Sequence, residues 1–200
     1  MKRHLLILAA VLGGVIVMLL TANKLTSNNS AAKNPNPQEQ QEMQGDKDTR
    51  DAKQQARIAR RKARQAEYES FIDSIVLAHT FRFIPTSFQV EPAGSMHPIT
   101  NPNFELSMYR DYADINLPYL RGMMPPYQLV VLNNVINALN GYTAIQTDQG
   151  WNITFTSWLY SANNYMFTLN IYKTTGSAQL SIASTYYSTV TYWGSIVGIY

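Results

Sequence analysis

No cysteine occurs in these 200 residues. Disulfides, thiolate metal sites, thiol catalysis and lipid attachment through a cysteine are therefore excluded. Charge is also scarce, at 14% of residues against about a quarter in an average chain. From Thr80 onward there are four basic residues (Arg82, Arg110, Arg121, Lys173) and five acidic ones (Glu91, Glu105, Asp111, Asp114, Asp148). The formal charge of +3 thus belongs to the N-terminal part, and the remainder has no electrostatic footprint for nucleic acid. Histidine is limited to His4, His79 and His97. No phosphate-cradling glycine loop, nucleotide fingerprint or helix-borne histidine pair is present. The expectation is no cofactor, no metal site and no nucleic-acid partner, with an enzyme less favoured than a binding protein.

What is there falls into segments. Residues 1–23 open with Lys2 and Arg3, followed by 18 uncharged residues from Leu5 to Ala22. A basic start before an apolar stretch is an export signal, here at the lower length limit for a membrane span. It serves either as a cleaved signal peptide or as an N-terminal anchor, with Lys2 and Arg3 on the cytoplasmic side. Residues 24–45, rich in Asn, Gln, Ser and Pro, read as a disordered linker. Residues 46–78 read as a charged helical stalk of good helix formers without proline or glycine. Acidic residues interleave with its basic strip "RIARRKAR", which favours a solvated stalk over a binding strip for lipid or nucleic acid. At its end Tyr68, Phe71, Ile72, Ile75 and Val76 follow helical spacing and form one apolar face that docks on the C-terminal domain.

Residues 79–200 change to a period of two. "WNITFTSWLY" places Trp151, Ile153, Phe155 and Leu159 on one face and Asn152, Thr154 and Thr156 on the other. "FRFIPTSFQV", "NFELSMY", "YMFTLNIYK" and "AQLSIAS" alternate likewise, and "STVTYWGSIVGIY" closes the chain. Turn signals stand at Asn140-Gly141, Asp148 to Gly150, Ala162 to Asn164 and Gly176-Ser177. Thirteen tyrosines and many threonines suit such strands. The pattern predicts a mainly β domain, an antiparallel β-sandwich or partly open barrel of short strands preceded by an amphipathic helix. "LVVLNNVINALNG" stays open between a helix stripe (Leu129, Leu132, Ile136, Leu139) and two short strands.

Candidate chemistry is thin. Ser95 and His97 in "GSMHP", or Asp111 and Asp114 in "YRDYAD", are the residues an envelope hydrolase would use. The first pair reads better as an exposed loop and the second as a hairpin turn, where Asp bonds backbone amides. Binding is better served. At least one of Trp158 and Tyr160 is expected to point away from the core, and Tyr172 lies opposite Phe167 and Leu169. Outward aromatics stack on sugars or anchor a protein. In "ADINLPYLR", Pro118 predicts a strand end or an edge. Tyr119 then packs over the strand end and Arg121 begins the loop, both binding candidates beside a Met/Pro-rich stretch, Met123 to Pro126, expected to be a mobile lip for any ligand. Candidate partners are an envelope protein, a glycan, or a small apolar ligand, which a barrel interior would hold. The membrane is reached only through residues 5–22, if uncleaved.

Taken in order, "TFRFIPTSFQVEP", "NPNFELSMYRDYADINLPYL", "QGWNITF", "YMFTLNIYKTTGSAQLSIAS" and "TVTYWGSIVGI" resemble the domain-of-unknown-function family number 4251, exported envelope proteins of Bacteroidetes-type bacteria, over residues 68–200. The resemblance implies a small all-β envelope domain behind an export signal, in the periplasm or envelope, and a strand near Val135 to Asn140. The chain departs from many members in lacking a lipid-attachment cysteine and in a longer insertion between Tyr119 and Val135. The family has no established activity, so the resemblance assigns no functional residues.

Overall fold

The computed structural model describes the backbone of residues 37–92, 94–137, 139–159 and 163–200, and side chains from Thr49 onward, Asn163 excepted. The expected export segment at 1–23 and the linker up to residue 36 lie outside these residues. The chain divides into two units, Met1–Lys47 and Asp48–Tyr200; the second holds all the strands and most of the helix.

Helix α1 spans Pro37–Leu77, so it starts before Asp46 and takes in residues 37–45, which the sequence had placed in the linker. Proline is at home in a first helical turn, and the Gln and Glu after it are good helix formers. The other end is a hydrogen-bonded stop. The His79 amide donates to the Val76 carbonyl at 3.1 Å and the Thr80 amide to the Ile75 carbonyl at 2.9 Å. His79 itself takes a left-handed φ of 54°, as the residue after a helix C-terminus commonly does. The chain thereby turns sharply into the first strand.

Among the described residues ten strands come after the helix: β1 (Phe81–Val90), β2 (His97–Pro98), β3 (Glu105–Met108), β4 (Ala113–Arg121), β5 (Gln128–Ile136), β6 (Asn140–Thr147), β7 (Gly150–Leu159), β8 (Asn163–Tyr172), β9 (Ser177–Ser184) and β10 (Val190–Gly198). They form a single antiparallel sheet in the order β5-β4-β3-β1-β10-β9-β8-β7-β6, with β2 added beside β1. This is the expected mainly β antiparallel architecture, in one open sheet. Strands β5 and β6 occupy opposite ends of that order, yet only residues 137–139 join them. So short a link spans at most about 14 Å, so the sheet must roll until its two outer strands approach. Tyr119 of β4 accordingly meets Tyr165 of β8 edge to face, at 6.0 Å between ring centroids.

The region left open between helix and strands is thus two strands. Asn140-Gly141 is not a turn but the irregular start of β6, where the register with β7 shifts between Asn140 and Thr143. Pro118 does not end its strand either; β4 runs on to Arg121. The reason lies in β3, whose ladder with β4 stops at the pair Glu105–Asn116. Beyond it β4 is paired only with β5, so the amide hydrogen that proline lacks is missing from a flank without a partner strand.

The inward face of the roll is filled. Phe81, Phe83, Leu106, Met108, Ile115, Leu117, Phe155 and Phe167 are buried, and Phe155 and Phe167 stack at 4.6 Å. Ile72 and Val76 of α1 are fully buried in the same core, closing one end of the roll. Polar contacts clamp the helix there. The Trp151 indole donates to the Asp73 carboxylate at 2.7 Å. Gln65 and Tyr68 donate to the carbonyls of Thr174 and Thr175, at 2.9 and 3.3 Å. Gly176, with φ of 68°, sits so close beneath the Tyr68 hydroxyl that a Cβ would occupy its place. Replacing Asp73 by Ala leaves the buried indole N–H without its acceptor and is expected to cost about 1–3 kcal/mol. The readout is a lower denaturant midpoint at unchanged slope, with Asp73→Asn retaining most of the stability. A wild-type midpoint for Asp73→Ala would show that the clamp contributes nothing.

Candidate functional site

At the end of the roll opposite α1, three connections come together: 91–97 after β1, 122–127 between β4 and β5, and 185–189 before β10. They are tied by specific hydrogen bonds. The Glu91 amide donates to the Thr189 carbonyl at 2.8 Å and the Ser188 amide to the Gly122 carbonyl at 2.9 Å. The Ser188 hydroxyl donates to the Met123 carbonyl at 3.1 Å. Arg121 donates from Nε to the Tyr187 hydroxyl at 2.8 Å, with its guanidinium 5.0 Å from the centroid of the same ring. The Met/Pro stretch expected to be a mobile lip is therefore fastened at its base, and Arg121 is part of the fastening.

Beneath lies a tyrosine layer. Tyr119 shares the inward face of β4 with Ala113, Ile115 and Leu117 and is fully buried. Its hydroxyl donates to the Ser188 carbonyl at 3.2 Å. Tyr192 of β10 is also fully buried and donates to the Pro118 carbonyl at 2.8 Å. Burial, and then the nearby hydroxyls of Tyr165 and Tyr187, push the Tyr119 phenol far above its ordinary range. Burial and then Tyr119 do the same for Tyr192. Burial raises Tyr142 to about 12. The Tyr119 and Tyr192 phenols are neutral donors that hold the strand ends together, whereas the buried Tyr142 hydroxyl has no hydrogen-bond partner among the described residues. Tyr119 is a core residue and presents nothing to a ligand.

Above this layer the loops enclose a cleft of about 400 Å³. Val90 and Pro92 form one wall, Leu120, Pro125 and Tyr127 the other, and Ser95 and His97 supply polar groups at its margin. The 91–97 loop is set by its own bonds. The Gly94 amide donates to the Val90 carbonyl at 2.8 Å, and Gln89 donates to the Gly94 carbonyl at 2.7 Å. The same connections also carry exposed Met96, Met123, Met124 and Tyr186, the two methionines of the 122–127 loop being 70% and 77% accessible. Sequence reasoning singled out the Met/Pro stretch but missed the opposite wall. The available signal was the same in both loops: proline and methionine within a few residues, in "EPAGSMHP" and "GMMPPY".

The other candidates lie elsewhere. Trp158 (63% accessible) and Tyr172 (38%) are both on the outward face of the sheet. Trp158 pairs with Asn164 and Tyr172 with Gly150, so the two stand eight residues apart along β8, about 26 Å. They form no common aromatic platform. Tyr160 lies outside the described residues. Asp111 is in the turn after β3 and Asp114 on the exposed face of β4. His79 is the helix stop, its ring 4.4 Å from that of Tyr142. His97 stacks on Phe88 at 5.2 Å, and no hydrogen bond joins it to Ser95 among the described residues. Nor do three or more potential metal ligands gather among those residues.

Replacing Tyr192 by Phe orphans the Pro118 carbonyl and is expected to cost about 1–3 kcal/mol. The raised phenols also set a pH dependence. In the unfolded chain each ionises near 10.0, whereas in the folded chain it holds its proton longer. Their contribution is fully present below pH 10 and is lost as pH rises through about 12 for Tyr142 and still higher for Tyr119 and Tyr192. Unfolding midpoints measured from pH 8 to 11.5 should fall above pH 10, less steeply in Tyr192→Phe. Equal slopes in the two proteins would contradict this assignment.

Comparison with known proteins bears on the whole domain. The family model described as "Domain of unknown function (DUF4251)" matches residues 63–196. A crystal structure of a DUF4251 family protein from Bacteroides eggerthii superposes with a TM-score of 0.51 at 14% identity, covering 67% of this chain and 91% of that one. At that identity the likeness concerns the fold. No curated protein matches the chain.

Proposed function

The chain belongs to the DUF4251 family, and on that premise we propose that it is an exported cell-envelope protein whose β domain is a non-catalytic binding module for a small, mainly apolar ligand. The cleft between the 91–97 and 122–127 loops carries this reading. Its volume of about 400 Å³ falls within the range of small-molecule sites, about 300–1,000 Å³, and its lining has their character, apolar walls with few polar groups. The exposed methionines of the two loops are unbranched and polarisable, suited to adapting to apolar groups of differing shape. The bonds from Ser188 and Arg121 fix the base of the 122–127 loop while its tip stays exposed. A ligand carried inside the roll is not favoured, because aromatic and aliphatic side chains occupy that space.

Export and an envelope location are supported by the apolar stretch from Leu5 to Ala22 behind Lys2 and Arg3. Among the described residues no helix is long and apolar enough to cross a membrane. Attachment, if the signal stays uncleaved, thus rests on residues 5–22.

The neutral fluorescent probe N-phenyl-1-naphthylamine tests the cleft directly. Saturable fluorescence enhancement is expected with the wild-type chain. Leu120→Trp, which fills the cleft from one wall, should weaken probe binding at least tenfold while the unfolding midpoint stays near that of wild type. Unaltered probe binding in that variant removes the cleft as the site.

A further inference from the structure

We propose that the outward face of β6 to β9 is a second binding surface, for a neutral polysaccharide chain. It is independent of the cleft. From Asn140 to Tyr200 the only charged residues are Asp148 and Lys173, and both sit in turns. The strands between them carry none. Binding to nucleic acid or anionic lipid draws its affinity from cationic side chains, and this face has none to offer. A partner matched to it must be uncharged.

What the face does carry is ordered by the sheet register. Thr143, Thr154, Thr168 and Ser181 are successive partners across four strands, forming one row of hydroxyls. Asn152, Asn170 and Gln179 supply amides to the next row, whose member on β6 is the exposed Ile145. Neighbours within a row are about 4.8 Å apart. Two contacts fix their directions: Thr143 and Thr154 share a hydrogen bond of 2.7 Å, and Asn152 donates to Asn170 at 2.7 Å. Hydroxyls and amides both donate and accept, as sugar hydroxyls do. Along the strands, exposed Trp158 and Met166 lie to one side of these rows and Tyr172 to the other. An aromatic face offers apolar area with a polar edge, which matches the C–H face of a pyranose. The separation of Trp158 and Tyr172 suits a chain of several sugar units and not a single one.

The test is co-sedimentation of the full chain with insoluble neutral polysaccharides (β-glucan, mannan, xylan and starch), with polygalacturonate and anionic phospholipid vesicles as charged comparisons. At least one neutral polysaccharide should retain the chain, equally at low and high salt. Trp158→Ala should lower the retained fraction at least fivefold. Thr168→Glu, which puts a charge in the hydroxyl row, should do the same, and Leu120→Trp in the cleft should leave retention unchanged. Thermal unfolding midpoints identify any variant that loses its fold; if Thr168→Glu does, Trp158→Ala decides, its side chain being exposed. The proposal is overturned if no neutral polysaccharide retains the chain, if Trp158→Ala is retained like wild type, or if the charged partners bind as well as the neutral ones.

Discussion

The pairing of β1 with β10 holds the rest of the domain together. The first and last strands lie side by side in the middle of the sheet, in a ladder running from Phe81–Gly198 to Val90–Val190. One meander, β3 to β5, grows outward from β1, and the other, β9 back to β6, grows from β10. Besides this ladder, the two are joined by the inward-facing core, the short link between β5 and β6, and the hydrogen bonds between residues 118–123 and Tyr187, Ser188 and Tyr192. The partners stand about a hundred residues or more apart in sequence, so the central pairing is the least local contact in the sheet and forms against a large loop-closure cost. The ladder also tolerates an irregularity at Pro85, where the register shifts. Gly194 makes room for it, since a Cβ there would run into the Ile84 carbonyl.

Much of this architecture was legible in the residues. Strands β7, β8 and β9 alternate cleanly because one face is packed and the other is polar, so their parity could be read directly. The segment that became β5 could not be read this way. As an outer strand it carries Leu129, Val131 and Val135 on its exposed face and Leu132 and Ile136 on the buried one, so both parities are apolar and the period of two vanishes. Only three residues then separate it from β6, and the two strands run together into a false helical stripe. The site was less legible than the fold. Tyr119 and Arg121 looked available because Pro118 suggested a strand end. The missing β3 partner beyond Asn116 lets the strand continue, and continuation keeps Tyr119 in phase with the inward residues. The cleft itself arises from two loops that touch only after the sheet has rolled, which no local pattern encodes.

The two faces of the domain divide its chemistry. The inward face and the loop end concentrate aromatic and aliphatic groups, with phenols whose protons are held by burial and committed to backbone carbonyls. The outward face of β6 to β9 carries hydroxyls and amides among exposed Ile145, Trp158, Met166 and Tyr172, without charge. Ion pairs do little here: Arg82 and Glu105 meet at 3.1 Å on a partly exposed flank, where such a pair contributes little. Stability rests on packing, the β ladders and the tyrosine and tryptophan hydrogen bonds that fasten strand ends and helix.

Helix α1 seals the roll beside Trp151, Gly176 and Gly198, at the pole opposite the loops. The domain therefore has a helix-capped end and a loop end. If the proposed cleft is the binding site, a ligand reaches it at the pole that the helix cap leaves free. The flank between the two poles would stay open to contact along its length.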